Sequence, residues 1–421
     1  METLLSLMRE SYEGDADTWL RVNAGLRDGL VRAAARRCPY YAEIGGGTQS
    51  FQNLPLLTKQ IARDRYEDLI ARGLPQERRI QKTTSGSTGE PLIFLKDLWF
   101  GTAERAACVF LKLLHGIPLD AVQVLLTGFS VDEPQLDDLG RPLPGANGQP
   151  PIVRVPVGSL AAQTTPEHLS TWAGFGPYWL YGTASVLEQL AGEICELRVP
   201  VPRQPVACVT TGDNSTSAGL DRMRQAFGCP VHSWYGSSEL SGYAAGTVPG
   251  TPEISFAFNP WISYVEVTDE VGRPLAPGEP GHLVLTDLHN HVMPFIRYDT
   301  GDRAAMASWS IGGFPVVTGL QGRSQTERIR LPSGRVLTPV SFADVFQQER
   351  IAAAVRGWQC AQTGPNSIEI HIVAGELDVE TINLLQQRAR SATDPDTRIE
   401  LRTVDRLATL PSGKRWLLRA Q

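Results

Sequence analysis

Several things are missing from this chain, and each absence narrows what it can be. Its six cysteines (Cys38, Cys108, Cys195, Cys208, Cys229 and Cys360) form no CxxC pair, so neither zinc-ligand spacing nor a disulfide framework is indicated, and free thiols in a reducing compartment are the default. No run approaches the ~18 apolar residues that a membrane helix requires. The opening Met1-Glu2-Thr3-Leu4-Leu5-Ser6-Leu7-Met8-Arg9-Glu10 lacks the basic start and long apolar core of a signal peptide, so a cytoplasmic location and no membrane partner are expected. Basic residues are not in excess: 39 against 45 acidic ones leave a net charge of −6, which gives no support to a nucleic-acid or anionic-lipid surface. The densest basic cluster, Arg32 to Arg37, falls in a predicted helix and reads as its solvated face. There is no internal repeat, no low-complexity tract and no Gly-Lys-Ser/Thr closing a Walker A loop.

What is present is a soluble globular composition. The chain has 421 residues, 42% of them hydrophobic, and nine tryptophans. That is enough for a large core and too long for a single ordinary one. Residues 1–45 carry apolar positions at helical spacing (Trp19, Val22, Leu26, Leu30, Val31), and Thr58 in Leu54-Pro55-Leu56-Leu57-Thr58-Lys59 is placed to cap a helix holding Ile61 and Tyr66. A short strand closing at Ile80 is predicted to feed a polar loop, with Leu92–Leu95 as the strand leaving it and a helix over 99–115. Val122–Leu126, Val206–Thr211 and Val231–Tyr235 read as strands separated by helical patterns, which predicts a mostly parallel α/β sheet with ligands gathered at the strand ends. The stretch 131–151, rich in Asp, Pro and Gly, reads as an exposed excursion, and 167–195 as two helices around Pro177–Gly182. Between Ile262 and Thr286 the alternation of apolar and polar residues predicts antiparallel strands. The last stretch reads as a compact α/β piece, with a strand over 368–373, a helix over 379–389 and a strand over 399–404. A boundary at Gly322–Ser324 gives two domains, 1–323 and 324–421.

Four stretches carry chemistry. Thr84-Ser85-Gly86-Ser87-Thr88-Gly89 interleaves hydroxyls with glycines, and such a backbone wraps an anion with amides and hydroxyls together. Alone it is as consistent with a solvated turn. Tyr235-Gly236-Ser237-Ser238-Glu239 places an aromatic and a hydroxyl–carboxylate cluster at a strand end. Arg297-Tyr298-Asp299-Thr300-Gly301-Asp302 and Pro411-Ser412-Gly413-Lys414 complete the set. Taken singly, Glu239 reads as a capping carboxylate, Asp302 as a turn residue, Lys414 as a surface lysine and His232 as a packed histidine. His289 and His291, beside Asp287, fit a loop as well as a metal site.

In this order and at domain-scale spacing, the four stretches resemble the adenylate-forming superfamily of acyl-CoA synthetases. The closest resemblance is to its phenylacetate–CoA ligase branch, through Pro39-Tyr40-Tyr41, Leu54–Lys59 and Met293–Tyr298. The resemblance spans about residues 38–414. It implies a large multi-sheet core, parallel α/β plus a β subdomain, with a small mobile α+β C-terminal lid. It also implies activation of a carboxylic acid with ATP and Mg²⁺ to an acyl-adenylate, then thioester formation with CoA, the acid being an aryl or heteroaryl one. Such an enzyme supplies position and charge neutralisation more than covalent chemistry.

By the same resemblance, Thr84, Ser85, Gly86, Ser87, Thr88 and Gly89 hold the β- and γ-phosphates, Glu239 holds Mg²⁺, and Ser238 bonds the α-phosphate. Tyr235, with Gly236, gives a face for adenine, Gly212, Asp213 and Asn214 its other edge, and Asp302 and Arg323 reach the ribose. Lys414 stabilises the charge developing between carboxylate and α-phosphate. Tyr181, Gly182, Ser237 and Tyr243 line the acid pocket, with Trp179 beside them. A carrier protein or an amine as acceptor, a homodimer, and a degenerate binding protein without turnover remain open alternatives. Two departures matter: Glu90 stands where many relatives have lysine, and Gln325 where they have a hinge aspartate. The Cys/His insert of many phenylacetate–CoA ligases is missing between Glu239 and Val265, so no structural zinc is expected.

Overall fold

The computed structural model describes the chain except residues 1, 84–91, 128–135, 137–140, 144, 146–149, 157–164, 213–216, 241, 249–250, 252–253, 323–326, 339–341, 343, 347, 406, 409–416 and 421. The chain divides into two compact units: one of Met1–Thr84, Leu92–Leu114 and Trp234–Arg323, the other of Ser85–Pro91, His115–Ser233 and Ser324–Gln421.

In the first unit the helical N-terminus is Glu2–Glu13, Ala16–Arg37 and Pro39–Glu43. Asp15 caps the long helix by accepting from the Thr18 amide at 2.8 Å. The buried stripe of that helix shares only Leu30 and Val31 with the apolar one read from the sequence, Trp19 and Val22 being half-buried. It runs through Asn23, Arg27, Leu30, Val31 and Ala34, whereas Leu26 is exposed. Asn23 donates to the carbonyls of Pro260 and Ser263, and the Arg27 guanidinium lies over the rings of Phe51 and Tyr264 at 4.3 and 4.5 Å. Two polar side chains thus occupy the packed face because each finds a partner there, which a hydrophobic count does not register.

Thr58 caps the helix Lys59–Asp64, its hydroxyl accepting from the Ile61 amide at 3.2 Å. Ile80 opens rather than closes its strand: Ile80–Thr83 pairs antiparallel with Ile93–Lys96, with Thr83 opposite Ile93. The helix Leu98–Leu114 follows. The predicted antiparallel strands form a meander in which Ser263–Thr268, Pro280–Asp287, Tyr298–Ile311, Phe314–Gln321, Ser255–Phe258 and Gly242–Thr247 are successive neighbours. Gly242–Thr247 then pairs with Trp234–Ser237 of the strand Val231–Ser237. One core, with Leu240, Phe258, Leu285 and Val317, lies against this meander. A second, with Tyr41, Leu57, Phe94, Phe295 and Tyr298, joins the N-terminal helices to the segment before Tyr298.

The second unit holds the parallel strands. Cys208–Thr211, Tyr178–Thr183, Val122–Thr127 and Ile152–Pro156 are neighbours in that order, all parallel. Between them in the chain come the helices Thr165–Ala173 and Ala184–Leu197, and Ser217–Phe227 follows Cys208–Thr211. Pro177–Gly182, read as a break between two helices, includes most of a fully buried central strand. The excursion over 131–151 falls largely outside the described residues. From Ser324 onward, Arg398–Thr403, Ser367–Ala374, Val355–Gly364 and Leu418–Arg419 make a four-stranded sheet with the helix Val379–Ala392. Trp358, Ile370 and Leu385 form part of its core. All six cysteines are free. Among the described residues no helix is long and apolar enough to cross a membrane.

Candidate active site

Arg297 explains how the site of the first unit is assembled. It is a non-glycine residue with a left-handed backbone (φ 51°), a conformation that costs roughly 1 kcal/mol or more. The side chain offsets that cost with five bonds. Nε and Nη2 donate to the two oxygens of Glu266 at 3.3 and 3.2 Å, Nη1 donates to the carbonyls of Gln52 and Leu54 at 2.8 and 2.5 Å, and Nη2 to that of Gly272 at 2.5 Å. The backbones are stitched as well. The Leu57 amide donates to Arg297 O at 2.9 Å, and the Asp299 amide to Leu57 O at 3.0 Å. Leu54–Lys59 and Arg297–Asp302, two sequence signatures lying far apart in the chain, are therefore one structural element.

That element delivers two side chains to Glu239. Tyr298 donates its hydroxyl to Glu239 Oε1 at 2.9 Å, and the Lys59 ammonium lies 3.8 Å from the same oxygen. Glu239 is buried, at 7% exposure, just past the strand Val231–Ser237. Its Oε2 accepts no hydrogen bond from any described residue. A second cation stands close by: Lys96, at the end of the strand Ile93–Lys96, reaches the Leu240 carbonyl at 3.5 Å and sits 3.4 Å over the Phe100 ring. Burial brings its pKa down to about 8, against the pull of Glu104, Asp287 and Glu239. The same strand is held from the other side by Asn290, which donates to Leu95 O at 2.8 Å. Asp287 fixes that turn by accepting from the His289 and Asn290 amides, a structural use of the Asp287–His291 stretch.

A second polar cluster lies in the same unit. Tyr235 donates to Asp302 Oδ2 at 2.9 Å, and burial, with the Asp302 charge, pushes its phenol well above the ordinary value. Its ring packs on Phe258 at 5.7 Å. Asp302 follows Gly301, whose positive φ of 79° lets the chain turn so that the carboxylate faces the tyrosine. Ser237 Oγ is buried with no hydrogen-bond partner among the described residues, and Ser238 beside it is exposed. Gly236 pairs with Tyr243, whose side chain lies outside the described residues.

In the second unit, Tyr181 and Trp179 are buried on the strand Tyr178–Thr183 with rings 5.4 Å apart. A Cβ at Gly182 would meet Leu126 Cβ at 3.1 Å and its carbonyl oxygen at 3.2 Å, so the neighbouring strand would have to give by a few tenths of an ångström to admit a side chain there. Gly212 ends the strand Cys208–Thr211 with φ 77°. His232 stacks on His115 with ring centroids 3.8 Å apart, and burial lowers its pKa to about 4, so it is a packed neutral imidazole. Thr84–Gly89, Glu90, Asp213, Asn214, Arg323, Gln325 and Lys414 lie outside the described residues.

Among the described residues no group of three or more His, Cys, Asp or Glu side chains could cage a metal ion. Mg²⁺ does not need such a cage; it binds through one or two carboxylates together with substrate phosphates. A buried carboxylate with one oxygen engaged and one open fits that mode.

The architecture is that of the adenylate-forming acyl-CoA ligases. A 2-hydroxyisobutyryl-CoA ligase, solved with 2-HIB-AMP and CoA in the thioesterification state, superposes with a TM-score of 0.63 over 98% of this chain and 92% of that one, at 17% identity. The same ligase in its postadenylation state gives 0.60 over the same shares, at 16% identity. Among curated proteins, Protein CapK of Staphylococcus aureus is 22% identical over 255 residues, 60% of this chain. The match spans 53%, about half, of CapK's length. No family model matches the chain.

Lys59, Lys96 and Tyr298 went unassigned in the sequence reading, although Lys59 and Tyr298 lie inside stretches that drew notice. The usable signal was the lysine itself. At the first position of a helix it faces the positive end of the helix dipole, which is a poor place for a cation without a nearby acid.

Proposed function

We propose that the protein is an ATP-dependent, AMP-forming acid–thiol ligase of the phenylacetate–CoA ligase type. It activates an aryl or heteroaryl carboxylic acid to its adenylate and passes the acyl group to CoA. The observation carrying this reading is Glu239: a buried carboxylate with Oε2 open, flanked by Tyr298 and Lys59 and followed by a buried lysine's hydrogen bond, on an acyl-CoA ligase fold.

In this reading Glu239 holds Mg²⁺, which would neutralise phosphate charge as pyrophosphate leaves. Tyr298 keeps the carboxylate aimed. The Tyr235–Asp302 pair presents a carboxylate for the ribose hydroxyls and a ring face for adenine. Ser237, with an unsatisfied buried hydroxyl, and Ser238 face the reacting groups; an orphaned donor of this kind costs about 1–3 kcal/mol unless a ligand completes it. Lys414, on a C-terminal lid of residues 324–421, supplies the cation for adenylation. Tyr181, Gly182 and Tyr243 contribute to the acid pocket.

Acid-dependent ATP–pyrophosphate exchange across a panel of aromatic acids tests the first half-reaction. CoA-dependent AMP release tests the second. Exchange without CoA-stimulated release would favour transfer to a carrier protein or an amine, a reading that Gln325 at the hinge position supports. Absence of exchange with every acid would sink the enzymatic reading.

A further inference from the structure

The Lys59–Glu239 pair is unusual on three counts. Lys59 is the first residue of a six-residue helix with no acidic residue in its first turn, so its own helix disfavours the charge. Its side chain is only 14% exposed, so an ammonium there needs a counter-charge. A counter-charge 3.8 Å away is Glu239, the carboxylate to which the proposed function gives a metal. Moreover, Lys59 and the Tyr298 hydroxyl both address Oε1, which leaves Oε2 without a donor among the described residues.

We propose that Lys59 is a resident counter-cation that competes with a bare divalent ion for Glu239, so that the metal enters productively only with the phosphates of its nucleotide. This rests on the assignment of Glu239 as the metal ligand. With the site empty, the ammonium balances the charge of the buried carboxylate at Oε1. A free dication reaching Oε2 meets the Lys59 charge a few ångströms away, with Lys96 adding to the repulsion through its place beside Leu240. A metal already bound to a polyphosphate carries compensating negative charge and meets no such barrier. Lys59 is thus a positioning residue that selects metal–nucleotide over metal.

The test uses Mn²⁺ alone as the probe, titrated into the full chain without nucleotide and followed by the loss of the free-ion electron paramagnetic resonance signal. Lys59→Met should bind Mn²⁺ about tenfold more tightly than the wild type, because a repulsive charge is gone while Glu239 stays. Lys59→Arg, which keeps the charge, should stay near the wild-type value. A purely structural lysine predicts the reverse, weaker binding in Lys59→Met. Equal affinity in Lys59→Met and wild type, with matching circular dichroism and melting temperature, overturns the proposal. Should Lys59→Met not fold, Lys59→Gln carries the same prediction. Adding Glu239→Gln to Lys59→Met should erase the gain. If the gain survives, the metal is not on Glu239 and the site assignment fails too, whereas a wild type lacking pyrophosphate exchange defeats the enzymatic reading without touching the Mn²⁺ result.

Discussion

Two buried carboxylates in the same unit, Glu266 and Glu239, are treated in opposite ways. Both are less than a tenth exposed. Both face a residue of the Arg297–Tyr298 pair. Glu266 receives a guanidinium on both oxygens, and that guanidinium is itself saturated by three carbonyls. Burial pushes the Glu266 pKa upward while Arg297 pulls it back, and nothing is left over for a ligand. Glu239 receives one hydroxyl and a lysine at 3.8 Å, with one oxygen open. Residue type and burial do not separate the two. The inventory of donors does: a carboxylate whose partners are complete holds a fold together, and one whose partners stop short is available to chemistry.

Breaking the saturated pair should have the largest effect. Arg297→Leu leaves Glu266 as an uncompensated buried charge and leaves three carbonyls without donors. We expect a loss of about 3–5 kcal/mol in denaturant unfolding, with the Leu54–Lys59 segment becoming protease-sensitive. Next in size, and on the other side of the comparison, Glu239→Gln keeps an acceptor for the Tyr298 hydroxyl and leaves only the 3.8 Å ammonium of Lys59 unbalanced, so it should cost less in denaturant unfolding than Arg297→Leu, about 1–2 kcal/mol. It should nevertheless lower pyrophosphate exchange at least about a hundredfold, or about 2.7 kcal/mol of transition-state stabilisation. A Glu239 variant that unfolds as readily as the Arg297 variant would erase the distinction.

The sequence made the two carboxylates' neighbourhoods unequally readable. The motif around Tyr235–Glu239 and the run Arg297–Asp302 were recognisable because each combines residue types that rarely occur together. The antiparallel strands from Ile262 to Thr286 and the helix after Thr58 followed from alternation and capping, both local in the chain. Three features stayed illegible, each because it depends on partners distant in sequence. Asn23 and Arg27 occupy the packed face of the first long helix because carbonyls at Pro260 and Ser263 and the rings of Phe51 and Tyr264 wait there. Pro177–Gly182 looked like a helix break, yet Tyr178–Thr183 is a central strand, since a strand buried on both faces shows no alternation. The role of Lys59 appears only when Leu57 is seen paired with Arg297 and Asp299.

Lys96 sharpens the comparison from the cationic side. Burial brings its pKa to about 8, while an unfolded lysine titrates near 10.5. The unfolded chain therefore binds more protons between those values, so this group's contribution to stability grows as pH rises through that window and is smallest below pH 8. Keeping the charged lysine at neutral pH costs on the order of 3 kcal/mol. Lys96→Met should accordingly raise the melting temperature at pH 7, with the advantage over wild type shrinking between pH 8 and 10.5. A midpoint difference that does not change across that range would show that Lys96 is not the buried charge described.

Tyr298→Phe is the smallest change and the most discriminating. The phenyl ring keeps its place in the core with Phe295 and Leu57, so only the bond to Glu239 Oε1 is deleted. If Glu239 were a structural carboxylate like Glu266, losing a donor to a buried charge would appear mainly as stability, about 1.5–3 kcal/mol. If it is held ready for a ligand, Lys59 and solvent at the open oxygen absorb most of that loss, and the deficit appears in aim. We expect a melting temperature within a few degrees of wild type and pyrophosphate exchange down about tenfold. Because the carboxylate itself survives, raising Mg²⁺ should recover part of the rate, and no such recovery should occur in Glu239→Gln. Recovery in neither variant would place Tyr298 on the structural side of the comparison, with Arg297.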